Sequence, residues 1–531
     1  MLGLEMVVVV GIAVLAAAAG ERRTRIASPV LLVAVGILLA FAPMLDGFHL
    51  DPDVVLLWFL PVLLYWESLT ISLRGIRRDL WTIVLASTVL VVLSAAVVAV
   101  IAHAFGLPWG PAWVLGAAVA PTDATATAAL AKALPQRNLT LLRAESLVND
   151  GTALVLYGIA IAATVSEHAL GPLEISGMFV LAYAGGAIVG FAIGWVGLRV
   201  RNRFVDPSLN TVAHVLVPFT AYLVAELISA SGVIAVVVAG IFMGRAGPRR
   251  NTPEARQQTT SVFVFASLVI NGSLFVLVGL EMNADTRAVP AASLGTACLL
   301  AVAVWLALVL VRMAFQFLSG LLIGAFDHGP HREDHRLGPR ARVVSGLAGF
   351  RGAVSLAAAL GIPMVLDDGS AFPDRAVIVF AAAGVILLTL AVQAPLLPWL
   401  VRWARFPADN LALEERRLAQ STAIAETLAA LPELVAGLGV GDAARERVQR
   451  ELERQRRVLD AQGVERPADD DVELVRGHED YRRLKLAVLE QQRAVVLRLR
   501  DQQTIDDTVL RRIQAQLDAE EVRFTGRTIL D

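Results

Sequence analysis

Thirteen mostly apolar stretches fill the first 405 residues of this chain, and charged residues crowd into the remaining 126. A helix needs about 20 mostly apolar residues to cross a bilayer. Lipid also admits only segments whose backbone polar groups are satisfied internally. The stretches lie near 3–20, 28–44, 54–67, 82–104, 110–131, 144–164, 176–198, 210–228, 232–245, 260–280, 291–318, 344–362 and 376–401. The expected fold class is an all-α polytopic membrane protein of about 13 transmembrane helices with a helical tail. The eighth and ninth stretches are parted only by Ser229–Gly232, so the count turns on that short gap. Residues 406–531 hold 45 of the 94 Asp, Glu, Lys and Arg residues, and residues 1–405 hold the other 49. This partition places a transmembrane domain at 1–405 and a cytoplasmic tail at 406–531.

Composition supports the partition. The chain is 56% apolar and 18% charged, with a mean hydropathy of +0.64, whereas soluble domains are about one-quarter charged. A net charge of -2 gives no reason to expect a nucleic-acid partner. The single cysteine, Cys298, permits neither an internal disulfide nor a cysteine metal site. Lys132 and Lys485 are the two lysines against many arginines, which fits a GC-rich bacterial genome.

Loop charge sets the orientation, because short arginine-rich loops stay in the cytoplasm. Arg22, Arg23 and Arg25 follow the first stretch; Asp46, Asp51 and Asp53 follow the second. The alternation continues to Arg332 and Arg336 after the eleventh and Asp367, Asp368 and Asp374 after the twelfth. The expectation is a multi-pass protein of the bacterial inner (plasma) membrane, N-terminus outside and tail cytoplasmic. Arg22 and Arg23 come after the first apolar run instead of before it, which suits an uncleaved span better than a signal peptide. In the tail, Leu411–Leu434, Ala443–Gln462 and Val472–Glu521 read as amphipathic helices broken by Pro432, Gly437–Gly441 and Gly463–Pro467. They suit either a hairpin or coiled-coil dimer contact, or a regulatory element.

Ionisable residues inside spans are expensive and default to functional candidates. In Ala120-Pro121-Thr122-Asp123-Ala124-Thr125, Pro121 removes a backbone donor and frees carbonyls beside Asp123. This gives either an oxygen-rich cation site or a kinked helix whose Asp is paired. In Glu145-Ser146-Leu147-Val148-Asn149-Asp150-Gly151-Thr152, Ser146 stacks with Asp150 and Glu145 with Asn149, each pair four apart. Such a cluster faces a partner helix or water, not lipid. In Phe350-Arg351-Gly352-Ala353-Val354-Ser355, a buried Arg351 needs a carboxylate. Pairing with Asp123 or Asp150 would disable a carrier, so Glu145 is its expected partner.

Taken in order, these three motifs resemble the sodium/proton exchanger branch of the monovalent cation/proton antiporters. The resemblance covers the whole membrane domain. It implies two inverted repeats with crossed, broken helices at the fifth and twelfth spans. It implies Asp150 as the shared carrier of cation and proton, with Asp123, Ser146 and Thr122 as further Na+ ligands, Asn149 beside them, and Glu145 with Arg351 as a structural ion pair. It also implies exchange without a cofactor, a homodimer in the lipid bilayer, a role in pH and sodium homeostasis, and, from Asn149 before Asp150, electroneutral exchange. Ala124 replaces the family's proline after Pro-Thr-Asp. Glu67 matches an acid that archaeal-type members place near the cation, though it also suits a solvated span end. Glu226 reads as a pathway acid or a packing residue, and His103 and His214 as interfacial or hydrogen-bonded groups.

The expected activity is therefore antiport of protons against Na+, or against Li+ or K+, and not an enzyme's. An intramembrane aspartyl protease is the alternative from another class, but Asp150 lacks the Gly-x-Gly that such proteases carry before the aspartate. A channel would need pore-lining rings or loops that the chain does not show.

Overall fold

A computed structural model of the chain describes residues 2–24, 28–41, 55–71, 83–123, 136–165, 171–204, 206–246, 252–288, 291–326, 338–406, 411–461, 469–502 and 507–525. The chain divides into two compact units, Met1–Pro407 and Ala408–Asp531.

The first unit is helical throughout most of its described length. Its helices are α1 (Leu2–Thr24), α2 (Ser28–Leu39), α3 (Leu60–Thr70), α4 (Leu90–Ala104), α5 (Trp109–Val119), α6 (Gln136–Val165), α7 (Pro172–Val180), α8 (Gly186–Arg201), α9 (Pro207–Leu227), α10 (Gly232–Ala246), α11 (Pro253–Ala288), α12 (Ala291–Phe326), α13 (Pro339–Leu347), α14 (Ala353–Leu360), α15 (Arg375–Leu388) and α16 (Ala394–Ala404). Single π turns lead into α3 and α4, join α7 to α8, and join α15 to α16. Described helix falls on every expected apolar stretch, and two of those stretches are broken.

Local chemistry marks the ends. Asp206 accepts hydrogen bonds from the Ser208 and Leu209 amides at 2.8 and 3.0 Å, and Pro207 occupies the first turn of α9, where its missing N–H costs nothing. Between α2 and α11 the backbones touch: a Cβ added at Gly36 would strike the Val276 carbonyl. Small residues allow such approach where no hydrophobic force drives helices together in lipid.

Among the described residues eight helical segments are long and apolar enough to cross a membrane. Seven lie in the first unit, where shorter apolar helices such as Trp109–Val119 and Gly232–Ala246 accompany them. The eighth, Glu414–Leu438, lies in the second unit and is almost wholly exposed; it is more apolar than the amphipathic reading of the tail implies.

The second unit consists of α17 (Leu411–Leu438), α18 (Asp442–Ala461), α19 (Asp469–Asp501) and α20 (Asp507–Thr525). Pro432 does not end α17, contrary to expectation. The stop comes at Gly439, whose φ of +64° gives the left-handed turn that closes helices. Arg493 of α19 reaches Asp518 and Glu521 of α20 at 2.5 and 2.6 Å.

Candidate functional site

Two breaks in the helical backbone make the site. α5 stops at Val119, and Ala120–Asp123 continue without helical pairing. α13 stops at Leu347, and α14 starts at Ala353 after another non-helical stretch. The two stretches meet: the Asp123 amide donates to the Phe350 carbonyl at 2.8 Å, an isolated antiparallel bridge. Gly352 makes the approach possible, since a Cβ there would overlap the Asp123 carboxylate.

Breaking a helix strands carbonyls, and at membrane depth something else has to satisfy them. At the end of α5, Arg351 Nε donates to the Val119 carbonyl at 3.1 Å, and its Nη1 donates to the Gly349 carbonyl at 2.6 Å. A guanidinium at a helix C-terminus also opposes the negative end of the helix dipole. Ser146 of α6 donates its hydroxyl to the Thr122 carbonyl. Asn149, one residue before Asp150, donates from Nδ2 to Thr122 Oγ1 at 2.7 Å and accepts from the Thr122 amide at 3.5 Å.

Asp150 is 5% exposed and borders a cavity of about 30 Å3. That is room for about two waters, each needing roughly 10–15 Å3. Glu67, Thr122, Asp123, Ser146, Asn271 and Ser355 share the wall. Among the described residues the lining includes three carboxylates and no lysine or arginine, so a cation or a proton at Asp150 would meet no fixed positive charge from them. Among the described residues the Ser355 hydroxyl is buried with no hydrogen-bond partner. Among the described residues no three His, Cys, Asp or Glu side chains converge closely enough to hold a metal ion. An ion at Asp150 would therefore draw on hydroxyl and carbonyl oxygens as well.

One expected contact is corrected. Glu145 does not pair with Arg351; it accepts from Arg312 Nη1 of α12 at 2.5 Å, with both side chains buried. Arg312 Nε also donates to the Ser345 carbonyl of α13 at 3.1 Å. Arg351 is satisfied instead by the carbonyls of the breaks. The sequence signal for Arg312 was present, a lone charge deep inside the apolar run Ser293–Leu318, and it was overlooked. Asn271 and Ser355 were missed as well.

The structure brings Asp150, Asp123, Ser146, Thr122 and Glu67 to one cavity, with Asn149 clamping its edge. Ala124 and Thr125 lie outside the described residues. Glu226 is not at the cavity: its Oε1 accepts from the Gly232 amide at 3.2 Å, at the start of α10. His103 donates from Nδ1 to the Leu107 carbonyl at 2.9 Å, and His214 Nδ1 accepts from Arg201 at 3.1 Å.

A family model described as "Sodium/hydrogen exchanger, transmembrane" matches residues 10–403. Over 524 residues the chain is 39% identical to an uncharacterized Na+/H+ exchanger of Mycobacterium tuberculosis, covering 98% of this chain and 96% of that one. It is 30% identical over 389 residues to a sodium, potassium, lithium and rubidium/H+ antiporter of Bacillus subtilis, covering 70% and 57% respectively. Among solved structures, the sodium proton antiporter MjNhaP1 of Methanocaldococcus jannaschii at pH 8 shares the fold. Its TM-score is 0.57 at 19% identity, covering 76% of this chain and 99% of that one.

Proposed function

This chain belongs to the sodium/hydrogen exchanger family of transporters, and on that premise we propose that it exchanges Na+ for H+ at a single site centred on Asp150. The observation that supports this most is the small cavity that Asp150 shares with Asp123, Glu67, Ser146 and Thr122, in which none of the described lining residues is a lysine or arginine. A carboxylate there takes up a proton or a metal cation, one excluding the other. Antiport needs that competition, with the loaded site facing each side of the membrane in turn.

Asp150 carries the exchanged ion. Asp123, the Ser146 hydroxyl and Thr122 supply further oxygens for Na+, and Glu67 borders the same space. Asn149 holds Thr122 in place and cannot itself release a proton, so one Na+ exchanges for one H+ and the cycle moves no net charge. Glu145 with Arg312, and Arg351 with the Val119 carbonyl, hold the scaffold around the moving ion. In this reading the protein is a homodimer in the bacterial inner membrane, with its N-terminus outside and its tail cytoplasmic. The tail regulates transport or joins the dimer, and the exchange serves pH and sodium homeostasis.

Purified protein sealed in vesicles with a pH-sensitive dye tests the reading. A sodium jump should move protons in wild type and not in Asp150→Asn. Proton flux that persists in that variant would remove Asp150 from the mechanism. Imposing a membrane potential should leave the equilibrium position unchanged; a shift would rule out neutral exchange. The B. subtilis relative's name specifies several alkali cations, and repeating the jumps with K+ and Li+ tests that second selectivity here.

A further inference from the structure

A second feature lies at the far end of the last span. α16 presents Leu397, Leu400, Val401 and Ala404 to the protein interior, while Trp399 and Trp403 remain 57% and 42% exposed. Arg402 sits between the two tryptophans, and Arg405, in the left-handed conformation at φ +48°, terminates the helix. Across from them Arg340 stands in the first turn of α13, its guanidinium 5.6 Å from the Trp403 ring centre. These five side chains line a groove of about 440 Å3.

The charge in this groove is unbalanced. Among the described residues three guanidiniums share it with no acidic residue in the lining, and none of the three is in an ion pair. Arg402 reaches a backbone carbonyl one turn back in its own helix, Pro398, at 3.3 Å. In the first turn of α13 Pro339 has no N–H and the Arg342 amide donates to the Gly338 carbonyl at 3.1 Å, which leaves the Arg340 and Ala341 amides without a helical acceptor, and Gly338 supplies no side-chain cap. A helix N-terminus beside arginines favours a negatively charged, multi-oxygen ligand.

We propose that this groove binds the phosphate headgroup of an anionic membrane lipid. Guanidiniums match phosphate oxygens two at a time. Exposed indoles at the end of a membrane helix sit at headgroup depth, where their rings rest in the interface and their N–H groups stay wet. A soluble phosphate would use the arginines but would gain nothing from Trp399 and Trp403. The position gives occupancy a consequence, because Arg340 stands in the first turn of the helix whose other end is the break that meets Asp123. A headgroup bridging Arg340 to Arg402 and Arg405 ties the start of α13 to the end of α16.

Full-length protein in phosphatidylcholine micelles, titrated with phosphatidylglycerol and read by native mass spectrometry, tests this. Each arginine removed should weaken phosphatidylglycerol binding about fivefold, and Arg340→Gln with Arg402→Gln about 25-fold. Phosphatidylcholine adducts should stay as in wild type. Unchanged phosphatidylglycerol affinity in the double variant would overturn the proposal. Displacement of the lipid by an equal concentration of inorganic phosphate would overturn it too, by showing a site for soluble anions. Melting in phosphatidylcholine checks that the double variant is folded. Should it not be, Arg405→Gln alone carries the test: a fivefold loss supports the site and wild-type binding refutes it.

Discussion

Glu145 and Asp150 sit five residues apart on α6 and are almost equally buried, at 6% and 5% exposed, yet they occupy different kinds of place. Glu145 faces α12 and is held by Arg312. Asp150 faces a cavity whose other charged walls, among the described residues, are also acidic. Burial therefore does not separate the carboxylate held in an ion pair from the one we propose as the carrier; a permanent counter-charge does. Ser146 and Asn149, lying between them and three residues apart on one face of α6, both grip the Thr122 segment.

Removing the charge on each side should give opposite outcomes. Asp150→Asn should take sodium-driven proton flux to background while the protein melts at or above the wild-type temperature, since no partner is stranded. Melting curves beside vesicle flux check this, and flux near wild type would erase the distinction. On the other side, Arg312→Ala should cost about 3–5 kcal/mol, because it leaves Glu145 buried and unpaired. Adding Glu145→Gln should recover part of that loss in Arg312→Ala but none in Arg351→Ala. Equal recovery in both backgrounds would restore the Arg351 pairing expected from the sequence.

Smaller changes sharpen the contrast at the crossing. Gly352→Ala forces a methyl group into the Asp123 carboxylate and should cost about 1–3 kcal/mol, with slower flux; a variant as stable and active as wild type would mean the breaks need not touch so closely. Ser355→Ala removes a hydroxyl with no protein partner, so it should weaken apparent sodium affinity without lowering the melting temperature. A fall in melting temperature with affinity intact would make Ser355 structural. Deleting the chain beyond Pro407 should have the smallest effect, leaving flux in place and altering its pH profile or the dimer, as read by flux against pH and by native mass. A truncated protein that inserts, dimerises and is inactive at every pH would make the tail part of the transport machinery.

How much the sequence disclosed depends on how loudly each residue type speaks in an apolar context. Pro121 and Asp123 marked the first break, because a proline beside an acid has little other reason to be inside a span. Arg351 marked the second. Arg312 was as visible by the same criterion, a single charge deep inside an apolar run. The pairing was not: two arginines distant in sequence were available to Glu145, and spacing along a chain cannot choose between them. Asn271 and Ser355 are neutral, and small polar residues also serve ordinary helix packing, so they gave no distinctive signal. In the tail, Pro432 reads as a stop although the alanine-rich α17 continues past it to Leu438.

The bridge between Asp123 and Phe350 also has a meaning in time. Thr122 finds Ser146 and Asn149 only 24 and 27 residues downstream, so that part of the crossing can assemble soon after α6 is made. The Val119 carbonyl waits for Arg351, 232 residues later. At a synthesis rate of about 5–20 residues per second, the delay is roughly 10–45 s. For that interval the nascent chain holds a cut helix end without the guanidinium that caps it. A ribosome stalled between α6 and α13 would leave a segment that already displays its acids and cannot yet close around them, and membrane quality control would meet the chain in that state.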